Sequence, residues 1–385
     1  MTYKKFLFAQ LVKNKLTYVP LVLLLLACLG TLFLNHQASQ ANNLGAQIRQ
    51  NQLTNAQAIE ENKARLENLD PESEEYVYIS KSIEDGQAII ASDEEFLKAF
   101  TAGQWSQVYD RQLDYLSSAK ASLEAHSPEK DVLEALDREL AYYTALSEID
   151  LPFEDTHFPH TAFQFLPSLF TYIFPALLPV GIAFVLTNVY GGAYAGKLDK
   201  YRMLPLSRGQ RLVQELGVGF GFSLLLFGLV SIVSFLAAGL AFGFGSLQYP
   251  TLSYSLDHFQ LSFVTIGSVL LPSLLLQILS LVFISSLVYL ISLVTKNRMT
   301  ALFLSTVSLF ALVWLPSLLN PLFKIAHLLP TTYMRSFEIT TGVFQKGIEN
   351  HVLSWGLGVP VILVWTALVI GLSYLCLGRV NKVQS

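Results

Sequence analysis

Cysteine is almost absent. The two present, Cys28 and Cys376, lie in the first and the last of the long apolar stretches, and there they should sit at different depths. A disulfide between them is therefore not expected. The polar stretch 36–165 contains none. It must be held by packing alone, which suits a membrane without an oxidising compartment outside it. Charge is also scarce, at 14% of residues against 52% hydrophobic, and mean hydropathy is +0.45. No Asp, Glu, Lys, Arg or His stands in the middle of an apolar run; Glu215 lies near the end of one. Ion-coupled carriers keep such groups along their pathway, because intramembrane charge is costly and retained for use. Their absence weighs against a self-powered carrier. The runs also lack a Ser/His or paired-carboxylate arrangement, which weighs against an intramembrane enzyme.

What the sequence does have is length in its apolar runs. Six are near or beyond the roughly 20 residues needed to cross a hydrocarbon core: 17–35, 166–188, 212–243, 261–294, 300–318 and 353–377. The first is too long for a signal-peptide core and lacks a cleavage pattern, so a retained helix is expected. The fold class that follows is an all-α polytopic membrane protein with six transmembrane helices and a helical domain inserted between helices one and two. Segment 1–35 comprises an N-terminal flank and helix one, 36–165 the inserted domain, and 166–385 helices two to six. The flank MTYKKFLFAQLVKNK is either an amphipathic interfacial helix or simply a positively charged flank. Pro167, Pro175 and Pro179 should kink or break helix two. Gly217 and Gly221 at GxxxG spacing permit a close helix contact. The runs around 212–243 and 261–294 each exceed 30 residues and must tilt or project.

Charge is distributed unevenly. Residues 36–165 carry 24 of the 29 acids against 9 Lys or Arg. Lys4, Lys5, Lys13 and Lys15 precede the first run; Lys197, Lys200, Arg202, Arg208 and Arg211 separate the second from the third; Lys296 and Arg298 precede the fifth. The positive-inside rule places both termini in the cytoplasm and 36–165 outside a cell membrane. Within 36–165, helices are expected over 42–69, from Pro71 over 72–90, from a Ser92 cap, over Trp105–His126, and from Ser127-Pro128 onward. The last has apolar residues at Val132, Leu133, Leu136, Leu140, Tyr143 and Leu146. The acids either keep this domain soluble or steer a cationic peptide to it. His157 and His160 lack a third ligand at metal spacing, so no metal is expected.

The segment GGAYAGKLDKYRMLPLSRGQR, residues 191–211, raises the question of nucleotide binding. Gly191-x-x-x-x-Gly196-Lys197 matches a phosphate loop up to its last position. There Leu198 stands where a Ser or Thr hydroxyl must hold Mg²⁺. The run follows an apolar helix, not a strand, and no segment on that side is long enough for an ATPase domain. This chain is expected to hydrolyse nothing itself and to bind no cofactor.

Gly196, Leu198 and Asp199, followed by Leu204-Pro205-Leu206-Ser207-Arg208, resemble the loop after helix two in type-2 ATP-binding-cassette (ABC) exporter permeases. Gly192 stands where that family usually has glutamate. Leu329-Pro330-Thr-Thr-Tyr333 is similar to the family's outer re-entrant region, here 319–352. The resemblance implies a permease subunit whose cytoplasmic segment, 191–216, docks on a separate ATPase that binds ATP and Mg²⁺. Lys197, Asp199, Leu204, Pro205, Leu206, Arg208 and Arg211 would make that contact. It further implies two ATPase copies and a second permease, identical or homologous; membrane lipids are further partners, and nucleic acid is not one. Gln277, the one strongly polar mid-run side chain, either faces a substrate pathway or bonds a neighbouring helix. A rival reading makes the chain a sensing or resistance module whose acidic domain binds antimicrobial peptides or an envelope ligand.

In a cysteine-free background, cysteine at Ser118 should react with an impermeant maleimide on intact cells, and cysteine at Ser207 only after permeabilisation. The opposite pattern would invert the topology.

Overall fold

A computed structural model describes residues 3–125, 130–192, 194 and 206–379. The chain divides into two compact units. One comprises 1–32, 161–247 and 251–385, the other 33–160 with 248–250. Six helical stretches are long and apolar enough to cross a membrane: Lys15–Leu66, Ala162–Gly192, Arg208–Phe242, Ile266–Thr295, Arg298–Leu318 and Trp355–Gly378. The protein is a multi-pass membrane protein, predominantly helical.

The larger unit begins with α1 (Tyr3–Lys13), a helix that buries Tyr3, Leu7 and Leu11 at four-residue spacing. Next comes α2 (Tyr18–Asn42). The proline-rich run breaks as its composition requires. After α7 (Ala162–Ser168), residues 169–173 form a π turn in which the Phe174 N–H reaches back five residues to the Leu169 carbonyl. Pro175 has no N–H to continue a regular ladder there. The chain resumes as α8 (Phe174–Gly192). There follow α9 (Arg208–Phe242), α10 (Ile266–Thr295), α11 (Arg298–Leu318) and α15 (Trp355–Arg379). Between the last two lie the short α12 (Asn320–Phe323), α13 (Ser336–Thr340) and α14 (Val343–Ile348).

Helices α8 and α10 form the centre. In their apolar stretches 61% and 56% of residues are buried inside the chain, against 33% for α9 and 28% for α2, α11 and α15. The outer four therefore present apolar faces that only lipid or another protein can cover. Several serines in this interior find partners within the chain. Ser273, Ser285, Ser286 and Ser292 each donate to the carbonyl four residues back, and Ser223 on α9 meets Ser285 on α10 at 2.9 Å. Such bonds replace the water that a bilayer lacks.

Three expectations change. Residues 261–265 are not helix: β1 (Pro250–Tyr254) and β2 (Leu261–Thr265) form a two-stranded hairpin before α10. Its alternating, β-branched strands won over the apolar run that seemed to extend the span. The Tyr254 N–H donates to the Thr341 carbonyl at 2.8 Å. Gly342, at φ +78°, lies so close to the Tyr254 carbonyl that a Cβ would strike it. Second, nothing lies within 4 Å of where a Cβ would stand on Gly217 or Gly221, so they make no close helix contact in this chain.

Third, the smaller unit has four long helices, not five: α3 (Leu44–Leu66), α4 (Glu74–Thr101), α5 (Trp105–Glu124) and α6 (Lys130–Ser147). Ser92 caps nothing. Helix α4 runs straight through it, because the Ser92 carbonyl and Glu95 both bind Arg111 of α5. Pro71 lies in the turn before α4, and Ser73 is the N-cap, its hydroxyl accepting the Tyr76 N–H at 3.2 Å with Glu74 and Glu75 in the first turn. Ser127-Pro128 lies outside the described residues.

With no disulfide available, aromatic rings join this unit. A chain of ring contacts runs Phe96, Phe100, Trp105, Tyr109, Tyr143, Phe153, with centroids 5.3–6.4 Å apart. Buried phenols bind the returning backbone: Tyr109 donates to the Leu151 carbonyl at 2.5 Å, and Tyr142 to that of Glu154 at 3.0 Å. Tyr249 accepts the Glu154 N–H at 2.7 Å. Burial raises the pKa values of Tyr109, Tyr142, Tyr143 and Tyr249 well above the ordinary tyrosine value. Their phenols must stay neutral for the unit to stay folded. The stability they contribute is complete below about pH 10, the unfolded value, and is lost as pH rises from there toward the folded values. In an alkaline titration followed at 295 nm, these four of the 17 tyrosines should ionise late and together with loss of helical signal. Smooth ionisation of all tyrosines near pH 10, with the helices intact, would contradict this packing.

Candidate functional site: a carboxylate node beside the α8–α9 connection

Helix α8 ends on two glycines. A Cβ on Gly191 would stand 3.0 Å from the Arg298 Cα, so the glycine lets the last turn of α8 lie against the start of α11. The Tyr194 N–H closes the end by donating to the Gly191 carbonyl at 3.1 Å. Residues 193 and 195–205 are outside the described residues, and with them Lys197, Asp199, Leu204 and Pro205. Beyond them, α9 opens with a capping box. The Ser207 hydroxyl accepts the Gln210 N–H at 3.2 Å, and the Gln210 side chain accepts the Ser207 N–H at 3.1 Å. This pairing satisfies two of the free N–H groups of the first turn. Leu206 is half-buried and packs on the core. Arg208 is exposed, and its guanidinium lies against the Gly378 turn of α15.

Arg211 points inward. It is 9% exposed, and its Nε lies 3.1 Å from Oε1 of Glu215, one turn along α9 and 2% exposed. The same Oε1 accepts the Tyr3 hydroxyl at 2.6 Å. Oε2 accepts the Tyr289 hydroxyl at 2.5 Å. The Tyr190 hydroxyl donates to the Glu215 carbonyl at 3.1 Å, and the Tyr190 and Tyr289 rings meet edge to face at 5.0 Å. One residue of α9 thus gathers α1, α8 and α10. The close approach is made possible by Gly219, where a Cβ would run into the Tyr190 hydroxyl. This glycine, not Gly217 or Gly221, is the one that a helix contact requires.

The node ties helices together. Glu215 is engaged by three donors, and among the described residues no second carboxylate is bonded to it. Among the described residues, no group of three His, Cys, Asp or Glu could hold a metal ion. Gln277 lies elsewhere on α10. It is 2% exposed, and its Oε1 receives the Ser336 hydroxyl of α13 at 3.4 Å. Ser273, one turn away, donates to Thr340 at 3.1 Å. In this chain Gln277 therefore bonds a neighbouring helix. The sequence offered one signal for the node: a lone carboxylate near the end of an apolar helix, with Arg211 four residues before it. The tyrosines that complete it are too far off in sequence to be paired by spacing.

Comparison with protein-family models, with curated proteins and with solved structures returned no match.

Removing one member of a buried ion pair strands the other, at about 3–5 kcal/mol. Arg211→Ala and Glu215→Ala should each lower the melting temperature of the purified protein sharply, while the double variant should lose less than the two single losses together. Single losses that simply add in the double variant would show that the pair is not coupled.

Proposed function

We propose that the chain is the permease subunit of an ABC exporter, moving a peptide, drug, lipid or similar amphiphile outward with energy from a separate ATPase. The observation that carries the reading is the α8–α9 connection. Its residues 196–208 resemble the ATPase-docking loop of type-2 exporter permeases, and it runs directly into the Arg211–Glu215 node that binds four helices of the membrane unit. A docking loop must pass force to the helices that line a pathway, and a loop rooted in a rigid, bonded node does so with little slack. The lack of charge within the apolar runs supports an external energy source. The chain would act as half of a dimer with an identical or homologous permease and two ATPase copies, ATP and Mg²⁺ being held by the ATPase. By the positive-inside rule both termini face the cytoplasm, and the four-helix unit lies outside the cell membrane.

Within this reading, Lys197, Asp199, Leu204, Pro205 and Arg208 make the dock. Leu206 and Arg211 support it from within, because they pack into the chain itself. A second reading is favoured by one observation, the excess of 24 acids over 9 basic residues in 36–165. It makes that unit a receptor for cationic antimicrobial peptides, with ATP hydrolysis powering release or signalling. Stimulation of ATP hydrolysis by a transported compound in inside-out vesicles favours the exporter. Stimulation by cationic peptide without its transport favours the receptor.

Affinity purification of the tagged protein from its own membranes should recover an ABC ATPase. Arg208→Glu with Leu204→Asp should leave insertion unchanged and reduce the recovered ATPase at least tenfold. Undiminished recovery would remove the docking assignment.

A further inference from the structure

Helix α1 and the first half of α9 leave a groove of about 740 Å³ between them. One wall is Phe8, Ala9 and Val12 of α1; the other is Gly217, Val218, Gly221 and Leu225 of α9. The lining carbon is apolar, and the only charges on it are Lys4, Lys5 and Lys13. The glycines make the groove: nothing stands within 4 Å of a Cβ built on either, so a side chain there would fill space that is now open. The three lysines are exposed, and none is within ion-pair distance of a carboxylate among the described residues. Lys4 and Lys5 also lie in the first turn of α1, which holds no acid and where the helix dipole disfavours cations. Two neighbouring ammonium groups at the unfavourable end of a helix, those of Lys4 and Lys5, are stabilised by an anion.

We propose that this groove is a binding site for an acidic phospholipid. One acyl chain lies along Gly217, Gly221 and Leu225, the phosphate headgroup is held by Lys4 and Lys5, and Lys13 adds a further cation to the rim. An apolar groove with cations at its rim fits an amphiphile carrying negative charge. A zwitterionic lipid would bring its own cation among the lysines, and a free phosphate would leave the apolar walls uncovered. The flank of α1 that faces away from its buried Tyr3, Leu7 and Leu11 then has a partner. The Tyr3–Glu215 bond, on the same helix, holds one wall of the groove in place. The inference rests on the membrane character of the chain and not on the transport reading.

Native mass spectrometry of the full-length protein in detergent, titrated with dioleoylphosphatidylglycerol or dioleoylphosphatidylcholine, tests it. One phosphatidylglycerol per chain should be retained, at least tenfold in preference to phosphatidylcholine. Lys4→Gln, Lys5→Gln and Lys13→Gln together should reduce that retention about tenfold or more, while the three arginine substitutions preserve it. Gly217→Leu, which enters open space, should abolish it without lowering the melting temperature. Equal retention of the two lipids, retention unaffected by the glutamine substitutions, or displacement by inorganic phosphate alone would each overturn the assignment. So would disulfide cross-linking between copies carrying Gly217→Cys, which would show the groove filled by a second chain.

Discussion

Taking a carboxylate out of water costs several kcal/mol unless donors occupy its lone pairs. Glu215 meets that condition with three partners from three helices: Arg211 beside it on α9, Tyr3 on α1 and Tyr289 on α10. The requirement runs both ways. The phenols need an acceptor in an apolar interior as much as the carboxylate needs donors, so moving any one of these helices leaves two groups unsatisfied. That is why the node holds position. The surrounding Leu, Val and Phe side chains attract one another without direction and could slide; the hydrogen bonds fix register. Gly219 belongs to the same constraint, since the Tyr190 phenol reaches the Glu215 carbonyl only over a residue without a side chain.

The same principle, polar groups satisfied inside the chain, appears in two materials in the two units. In the membrane unit it is serine bonded to its own helix, and one serine pair between α9 and α10. In the four-helix unit it is tyrosine bonded to returning backbone, with stacked rings in place of disulfides. Ion pairs there are exposed ones, such as Lys120 with Asp137 and Lys63 with Glu60, worth little individually. Most of the acids are left to the solvent, which keeps the unit soluble and gives it a negative field.

What could be read from sequence was what one helix decides alone. The six apolar stretches were legible because span length is set by the bilayer, and the break after Pro167 because proline lacks a donor. Errors arose where a distant partner decided. Ser92-Asp-Glu-Glu has the composition of a helix start, yet Arg111 binds across it and the helix continues. The strand 261–265 was absorbed into an apolar run because hydropathy does not distinguish strand from helix over five residues. Gly217 and Gly221 fitted a contact motif, while the contact fell on Gly219 because of where Tyr190 lies. Arg211 reads from sequence as one more cytoplasmic cation; only the fold turns it toward Glu215. In the proposed reading, that moves it from the surface that meets a partner to the root of that surface.

In the proposed reading the segment between α8 and α9 is a dock for an ATPase, and the Arg211–Glu215 node receives the force. A single-particle structure of the complex purified from its own membrane tests this most directly. The account predicts a second copy or homologue of the chain and a nucleotide-binding subunit seated on residues 194–208 of each, with Arg211 still bonded to Glu215. A complex in which that segment is bare, or whose only partner covers the four-helix unit, would contradict it.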